Sequence, residues 1–346
     1  MMKLNCFCLF FIITTHNCYL KAEILGTSDS HGPISVHGDH MHKKNEFMLS
    51  YRRVNMLMNQ IQNGRSHMDI DEVMAAPNFS SDGSGTYMNA PTEMRMDMHM
   101  FGLMFAPNDS ITLSLMTNYS RKEMTQQRMA MNGSAKFEVK SSGMGDTKIT
   151  GLVKIKNNSK IKSHLGFGLS IPTGNINQRD STPVSSNTRL GYGMQNGSGT
   201  YDPFIFSNNV KSLGKVKFGG QIYYKMSASG RNSKGYQHGD TFKTNFWGSY
   251  RWVDYLSTSF KIDYNLRKKM IGSDNEMNPR MSPVMDSKNQ GYQKSSISFG
   301  INFVNHNDFL KNHRIAVELL VPIFQRYRGI QMSENFKTVI GWQYGF

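Results

Sequence analysis

The amino-acid sequence predicts an all-β fold: a single antiparallel transmembrane β-barrel of about 12 strands, with short periplasmic turns and long extracellular loops. Three observations predict it. From residue 46 onward apolar and polar residues alternate with period two, mostly in segments of 10–14 residues; a tilted strand crosses a bilayer in about 9–11. The connections between these segments alternate between short and long. The mean hydropathy is −0.49. That value excludes a bundle of membrane helices, yet it suits a barrel whose apolar belt surrounds a polar lumen.

Taken in order, residues 1–22 (MMKLNCFCLFFIITTHNCYLKA) read as a signal peptide. Lys3 precedes an apolar run from Cys6 to Thr15, and Leu20-Lys21-Ala22 supplies a cleavage site. Cys6, Cys8 and Cys18 are the only cysteines and all fall inside this segment, so the exported chain is expected to have neither disulfides nor thiolate chemistry. Residues 23–45 read as a periplasmic leader or partial plug carrying His31, His37, His40, Met41 and His42. Of these, His37, His40 and His42 are the candidate metal ligands, because imidazole and thioether suit copper and imidazole also suits zinc. The plainer alternative is a solvated leader without fixed geometry.

Residues 46–346 read as the barrel. Strands are expected near 46–58, 93–105, 110–121, 144–156, 161–172, 200–212, 215–227, 241–252, 255–267, 291–304, 313–323 and 335–346. In the fifth, Ile161, Leu165, Phe167, Leu169 and Ile171 share one face while Lys162, His164, Gly166, Gly168 and Ser170 share the other. The last strand sets Phe336, Thr338, Ile340, Trp342, Tyr344 and Phe346 on one face. Two strands resist assignment: Arg53 interrupts the apolar face of the first, and in 93–105 either the methionine face or the Arg95/Asp97/His99 face could be the inner one. Long loops are expected at 59–92, 122–143, 173–199, 228–240, 268–290 and 324–334.

In hydrocarbon the uniformly apolar faces must contact lipid, since Lys or Arg at the midplane on that side costs about 2–4 kcal/mol. The charged faces then line the lumen. They carry Lys148, Lys154, Lys162, His164, Lys217, Lys225, Lys243, Arg251, Lys261, Arg267, Lys294, Arg314 and Lys337, with Asp146, Asp263 and Glu318 as the acids. The whole chain has 40 Lys and Arg against 25 Asp and Glu. A lumen of one sign selects ions of the other, so passive or facilitated passage of small anionic or aromatic solutes is expected. The alternative is that these cations pair with acids or crowd the rims. Inward glycines at 166, 168, 219, 300, 341 and 345 leave room in a crowded lumen or for a solute. No catalytic constellation appears: there is no His-x-Ser on a strand face and no carboxylate pair. No cofactor is implied. The lysines form no stripe with stacking aromatics, so nucleic acid is not a partner. Expected partners are outer-membrane lipid and lipopolysaccharide, together with the barrel-insertion machinery, which would read the terminal Phe346.

Several short motifs add a resemblance. They are Gly38-Asp39-His40-Met41-His42-Lys43-Lys44, Met48-Leu49-Ser50-Tyr51-Arg52, Ala90-Pro91-Thr92-Glu93-Met94 with Met96-Asp97-Met98-His99-Met100, Phe105-Ala106-Pro107, Gly143-Met144-Gly145-Asp146, Gly168 to Gly174 and Gly197 to Asp202. On these the chain resembles a family of transporter-like bacterial outer-membrane barrels labelled for the MetA pathway of phenol degradation. The resemblance implies an outer-membrane barrel that aids uptake of hydrophobic or aromatic compounds, with no catalytic residue to carry over.

Overall fold

The computed structural model describes residues 26–78, 85–130, 133–305 and 311–346. The expected signal peptide at 1–22 and the first residues of the leader lie outside the described residues. Twelve long strands make one antiparallel sheet: β1 (Phe47–Asn63), β2 (Asn89–Asn108), β3 (Ile111–Ala130), β4 in two pieces (Gly133–Met144 and Thr147–Asn157), β5 (Ile161–Ile171), β6 (Asp202–Leu213), β7 (Val216–Lys225), β8 (Thr241–Val253), β9 (Leu256–Arg267), β10 (Tyr292–Asn305), β11 (His313–Tyr327) and β12 (Ile330–Gly345). Each strand pairs with its sequence neighbours. β12 also pairs with β1, from Met48 opposite Gly345 to Asn63 opposite Ile330. Phe47 N donates to Phe346 O at 2.8 Å and Phe346 N to Phe47 O at 2.9 Å, sealing one end of the seam. A closed ring leaves no unpaired edge, which strands in hydrocarbon require.

The period-two reading holds through the ladders. Outward side chains are large, apolar and uncovered: Phe246 is 64%, Ile323 60% and Phe299 58% exposed. At the short-turn rim the rings of Phe105, Phe47, Phe346 and Tyr344 stack in series, and His313 and Trp342 join them. Such a girdle is expected where an apolar belt meets water.

The two undecided strands resolve together. Met94 and Met104 are buried inside the barrel, and Met98 and Met100 pack against an interior cluster with Ile34. The Arg95/Asp97/His99 face is therefore outward. Arg53 lies beside it on β1 and donates to Asp97 at 2.8 Å, while the Tyr51 hydroxyl meets His99 Nδ1 at 2.7 Å. Arg53 breaks the apolar face because it belongs to this outer polar patch.

Two expected loops are strands instead. β3 and β4 stay paired up to Ala130 opposite Gly133, so most of 122–143 is ladder. The stretch 324–334 is a hairpin in which β11 runs to Tyr327 and β12 begins at Ile330. These upper strand ends carry polar residues on both faces, as in Lys122-Glu123 and Gln126-Gln127-Arg128, and beyond the membrane nothing imposes an apolar alternation. Within 59–92 lies a helix, α1 (Ile70–Ala75), opened by a capping box in which Asp69 and Glu72 bond each other's backbone amides.

β4 breaks at Gly145-Asp146, and Gly143 just before it sits at φ +149, a conformation that favours glycine. The break turns Asp146 inward. Its carboxylate accepts from Gly174 N at 3.1 Å and from Ser198 N and Oγ at 2.9 and 2.7 Å. One side chain thus ties both ends of the long β5–β6 connection to the barrel wall.

The inward glycines of β5 and β7 do not leave empty space. Gly168 is opposite Phe204, Gly166 opposite Phe206 and Gly219 opposite Trp247, and a Cβ at any of them would enter the facing ring. An aromatic folded over a cross-strand glycine is a compact way to fill a lumen. Gly168→Val is expected to destabilise the barrel by about 1–3 kcal/mol through overpacking. Urea titration followed by heat-modifiable gel mobility measures this.

Candidate functional site: a plugged and roofed lumen

The segment from Gly26 to Glu46 enters the barrel at the short-turn rim, rises, and returns to the start of β1. The rising arm is fixed by Ser28, whose N donates to Asp254 O at 2.8 Å and whose O accepts from Ser257 Oγ at 2.9 Å. Gly32 O accepts from Arg314 Nη2 at 2.7 Å. At the tip Ile34 packs with Val54, Ala316, Leu320 and Val339. Beside it Glu318 accepts from Ser35 N at 2.9 Å and Ser35 Oγ at 3.0 Å, and pairs with Lys261 at 2.9 Å. The descending arm offers carbonyls to the wall: Gln221 Nε2 donates to His37 O at 2.9 Å, His164 Nε2 to Gly38 O at 2.7 Å and Asn208 Nδ2 to Asp39 O at 2.8 Å. Gly38 lies against the Phe206 ring at φ +63, so a side chain there meets both a steric and a backbone obstacle. Desolvation is thus offset by polar partners at each level of the loop.

At the other end the long connections fold over the barrel. Lys122 of β3 donates to Gly193 O at 3.1 Å and Gln195 O at 2.6 Å. Tyr192, Tyr236, Met270, Met277 and Met285 form a buried cluster. Arg189 and Asp274 make a fully buried ion pair at 2.6 Å between the β5–β6 and β9–β10 connections.

Between the plug and the barrel wall lies a cavity of about 180 Å³. One wall is aromatic, with Phe204 and Phe206 stacked on Tyr223 at centroid distances of 5.5 and 6.3 Å. Facing into the same cavity are Lys148, Lys243, His37 and Lys261. His37 titrates well below the usual histidine range because of burial first, then the charges of Arg52, Lys148 and Lys243; it accepts from Arg52 Nη1 at 3.2 Å. A second, wider cavity of about 620 Å³ opens at the short-turn rim, where Lys154, Lys156, Lys160, Lys162 and Lys217 surround Asp39, His40 and His164.

The expected lumen cations therefore fall into three groups. Lys225 pairs with Asp202 at 2.6 Å, Lys217 with Asp29 at 3.2 Å, and Lys294 and Lys337 share Glu334 at 2.8 and 3.4 Å. Arg251 lies 3.8 Å from Asp29 and 3.2 Å from Asp254, and Lys261, besides Glu318, lies 3.8 Å from Asp263. Arg314 bonds Gln343, Asn302 and the plug, and Arg267 lies over the Tyr292 ring. The third group is Lys148 and Lys243 in the cavity and Lys154 and Lys162 at the mouth, which have no carboxylate partner among the described residues. The neutralising acids Asp29, Asp202 and Glu334 escaped the sequence reading: Asp29 lies in the plug and Glu334 just before the expected last strand, while Asp202, inside the expected strand 200–212, sits at its long-connection end.

The histidines are grouped differently from expectation. His37 turns to Arg52, whereas His31 and Asp39 join His40, with His42 alongside. His31 lies nine residues from His40 in sequence and meets it only because the loop doubles back.

No protein-family model matches the chain, and no curated protein matches it. Solved structures do. The COG4313 outer membrane channel from Pseudomonas putida F1 superposes with a TM-score of 0.57 at 12% identity, over 90% of this chain and 100% of that one. A Pseudomonas aeruginosa FadL homologue aligns at a TM-score of 0.41 and 12% identity, over 87% of this chain and 90% of that one. The P. putida toluene transporter TodX aligns at a TM-score of 0.42 and 9% identity, over 87% and 90% of the two chains. The fold of this chain is that of a twelve-stranded outer-membrane barrel.

Proposed function

We propose that the chain is an outer-membrane channel for small anionic solutes that carry an aromatic or apolar part, and that the loop 26–46 gates it. The observation that carries this reading is the central cavity, where Lys148 and Lys243, without carboxylate partners among the described residues, face Phe204, Phe206 and Tyr223. Two cations favour an anion, and the rings favour an apolar body. About 180 Å³ compares with the roughly 150 Å³ of a dry cavity that takes up benzene, so a single-ring carboxylate is the right size. The lysine-ringed mouth would raise the local anion concentration ahead of the narrow part. The fold shared with an outer-membrane channel and the resemblance to aromatic-uptake barrels point the same way. Nothing in this reading requires catalysis. The apolar belt would contact lipid and lipopolysaccharide, and the β12 aromatics ending in Phe346 would be read by the barrel-insertion machinery.

Reversal potentials in planar bilayers under asymmetric KCl test the charge preference. Anion selectivity is expected; clear cation selectivity contradicts the reading. Liposome swelling should be faster with benzoate-class acids than with neutral sugars of similar size. Exchanging Lys148 and Lys243 for Gln together is expected to move the reversal potential toward zero and to remove the advantage of the aromatic acids, because these are the two narrow-zone cations without a carboxylate partner among the described residues.

A further inference from the structure

The plug loop holds the densest group of metal-ligating atoms among the described residues, and the channel reading makes no use of it. His31 sits on the rising arm, Asp39 and His40 on the descending arm. One ligand atom from each lies within 4.8 Å of the other two. We propose that His31, Asp39 and His40 bind one transition-metal ion of the zinc or copper(II) class, which staples the two arms of the plug together.

The geometry suits such an ion. His31 Nδ1 and His40 Nδ1 are 3.2 Å apart. Two imidazole nitrogens each about 2.0–2.1 Å from a tetrahedral ion lie about 3.3 Å from one another. The Asp39 carboxylate is 2.9 Å from His40 Nδ1 and 3.9 Å from His31 Nδ1. Proton accounting points the same way. Three atoms with lone pairs converge, and in the neutral state a single N–H on His40 has to serve both His31 and Asp39. A cation satisfies all three at once.

The carboxylate is also oriented from behind, since Gly32 N donates to Asp39 Oδ2 at 2.7 Å. His42 completes the surroundings. Its ring centroid is 4.9 Å from that of His40, it is 4% exposed, and its Nε2 is buried with no hydrogen-bond partner, as is that of His40. Ions can enter from the short-turn mouth, whose cavity Asp39 and His40 line. Arg314 and the mouth lysines oppose any cation, which disfavours hard ions held by charge alone and leaves those that gain from nitrogen ligation.

The test uses the full mature chain, refolded in detergent, stripped with chelator and dialysed against Zn²⁺ or Cu²⁺. Bound metal is counted by plasma emission, and the Cu²⁺ form is examined for nitrogen hyperfine coupling. About one ion per chain and coupling to two nitrogens are expected. His31→Gln, His40→Gln and Asp39→Asn should each weaken binding by about 10-fold or more, as loss of one member of a metal site does. His37→Gln, directed at Arg52, should leave it intact. Heat-modifiable mobility checks that each variant is folded, and the wild-type spectrum stands without any variant. Absence of two-nitrogen coupling in the wild type overturns the proposal, as does binding indifferent to His31 and His40 or lost equally in His37→Gln. These readouts do not involve conductance, so they separate from success or failure of the channel reading.

Discussion

Deleting Ser28–Met41 is expected to raise single-channel conductance roughly tenfold or more, because a narrow barrel freed of its filling becomes water-lined. Residues 28–41 take part in no strand pairing, and the β1–β12 seam begins only at Phe47. The deletion therefore removes the plug and leaves the wall and the roof. A milder version is Glu318→Gln. This one carboxylate accepts from Ser35 N, Ser35 Oγ and Ser298 Oγ and pairs with Lys261. Its neutralisation leaves the buried Lys261 with only the more distant Asp263, at 3.8 Å, and loosens the loop tip, so brief openings should become frequent while the barrel stays closed. Unchanged conductance in the deletion would mean that the loop does not gate the lumen.

The second large effect concerns the roof. Arg189 and Asp274 are 2% and 1% exposed and join two long connections. Removing one partner of such a pair costs about 3–5 kcal/mol, because the other is left charged and buried. Asp274→Ala is therefore expected to free the 173–199 and 268–290 connections, seen as new protease cuts there in folded protein. Replacing both residues by Leu should recover most of the protection, since a hydrophobic pair of similar volume carries no stranded charge. If Asp274→Ala remains as resistant as the wild type, the roof is held by its Tyr and Met cluster.

The membrane part of this fold was legible because lipid imposes a rule. Phe167 and Leu169 must face out and His164 and Ser170 in, and that rule writes itself into every crossing strand. Legibility stopped where the rule stops. Above the belt Gln126 and Gln127 face opposite ways with no difference in chemistry, so paired strand read as loop. Asp69 and Glu72 carry the capping-box spacing of a helix inside 59–92, a stretch read entirely as loop. The aromatic fillers had a signal too: inward Gly166 and Gly168 in register with Phe206 and Phe204. The registration depends on hairpin lengths that alternation alone leaves loose. The candidate site was half visible. Lys148 and Lys243 could be placed on the inner face from sequence. That Lys225, Lys261 and Lys294 are cancelled by Asp202, Glu318 and Glu334 follows from contacts between strands and from tertiary reach. The His31–Asp39–His40 grouping depends on a loop with no period at all.

The central claim is that apolar faces meet lipid while the polar faces enclose a filled lumen. Single cysteines placed in turn from Ile297 to Val304 on β10, spin-labelled and reconstituted in bilayers, test it most directly. Collision with oxygen, which concentrates in hydrocarbon, should be high at 297, 299, 301 and 303 and low at 298, 300, 302 and 304. A flat profile, or one in the opposite phase, would contradict the account.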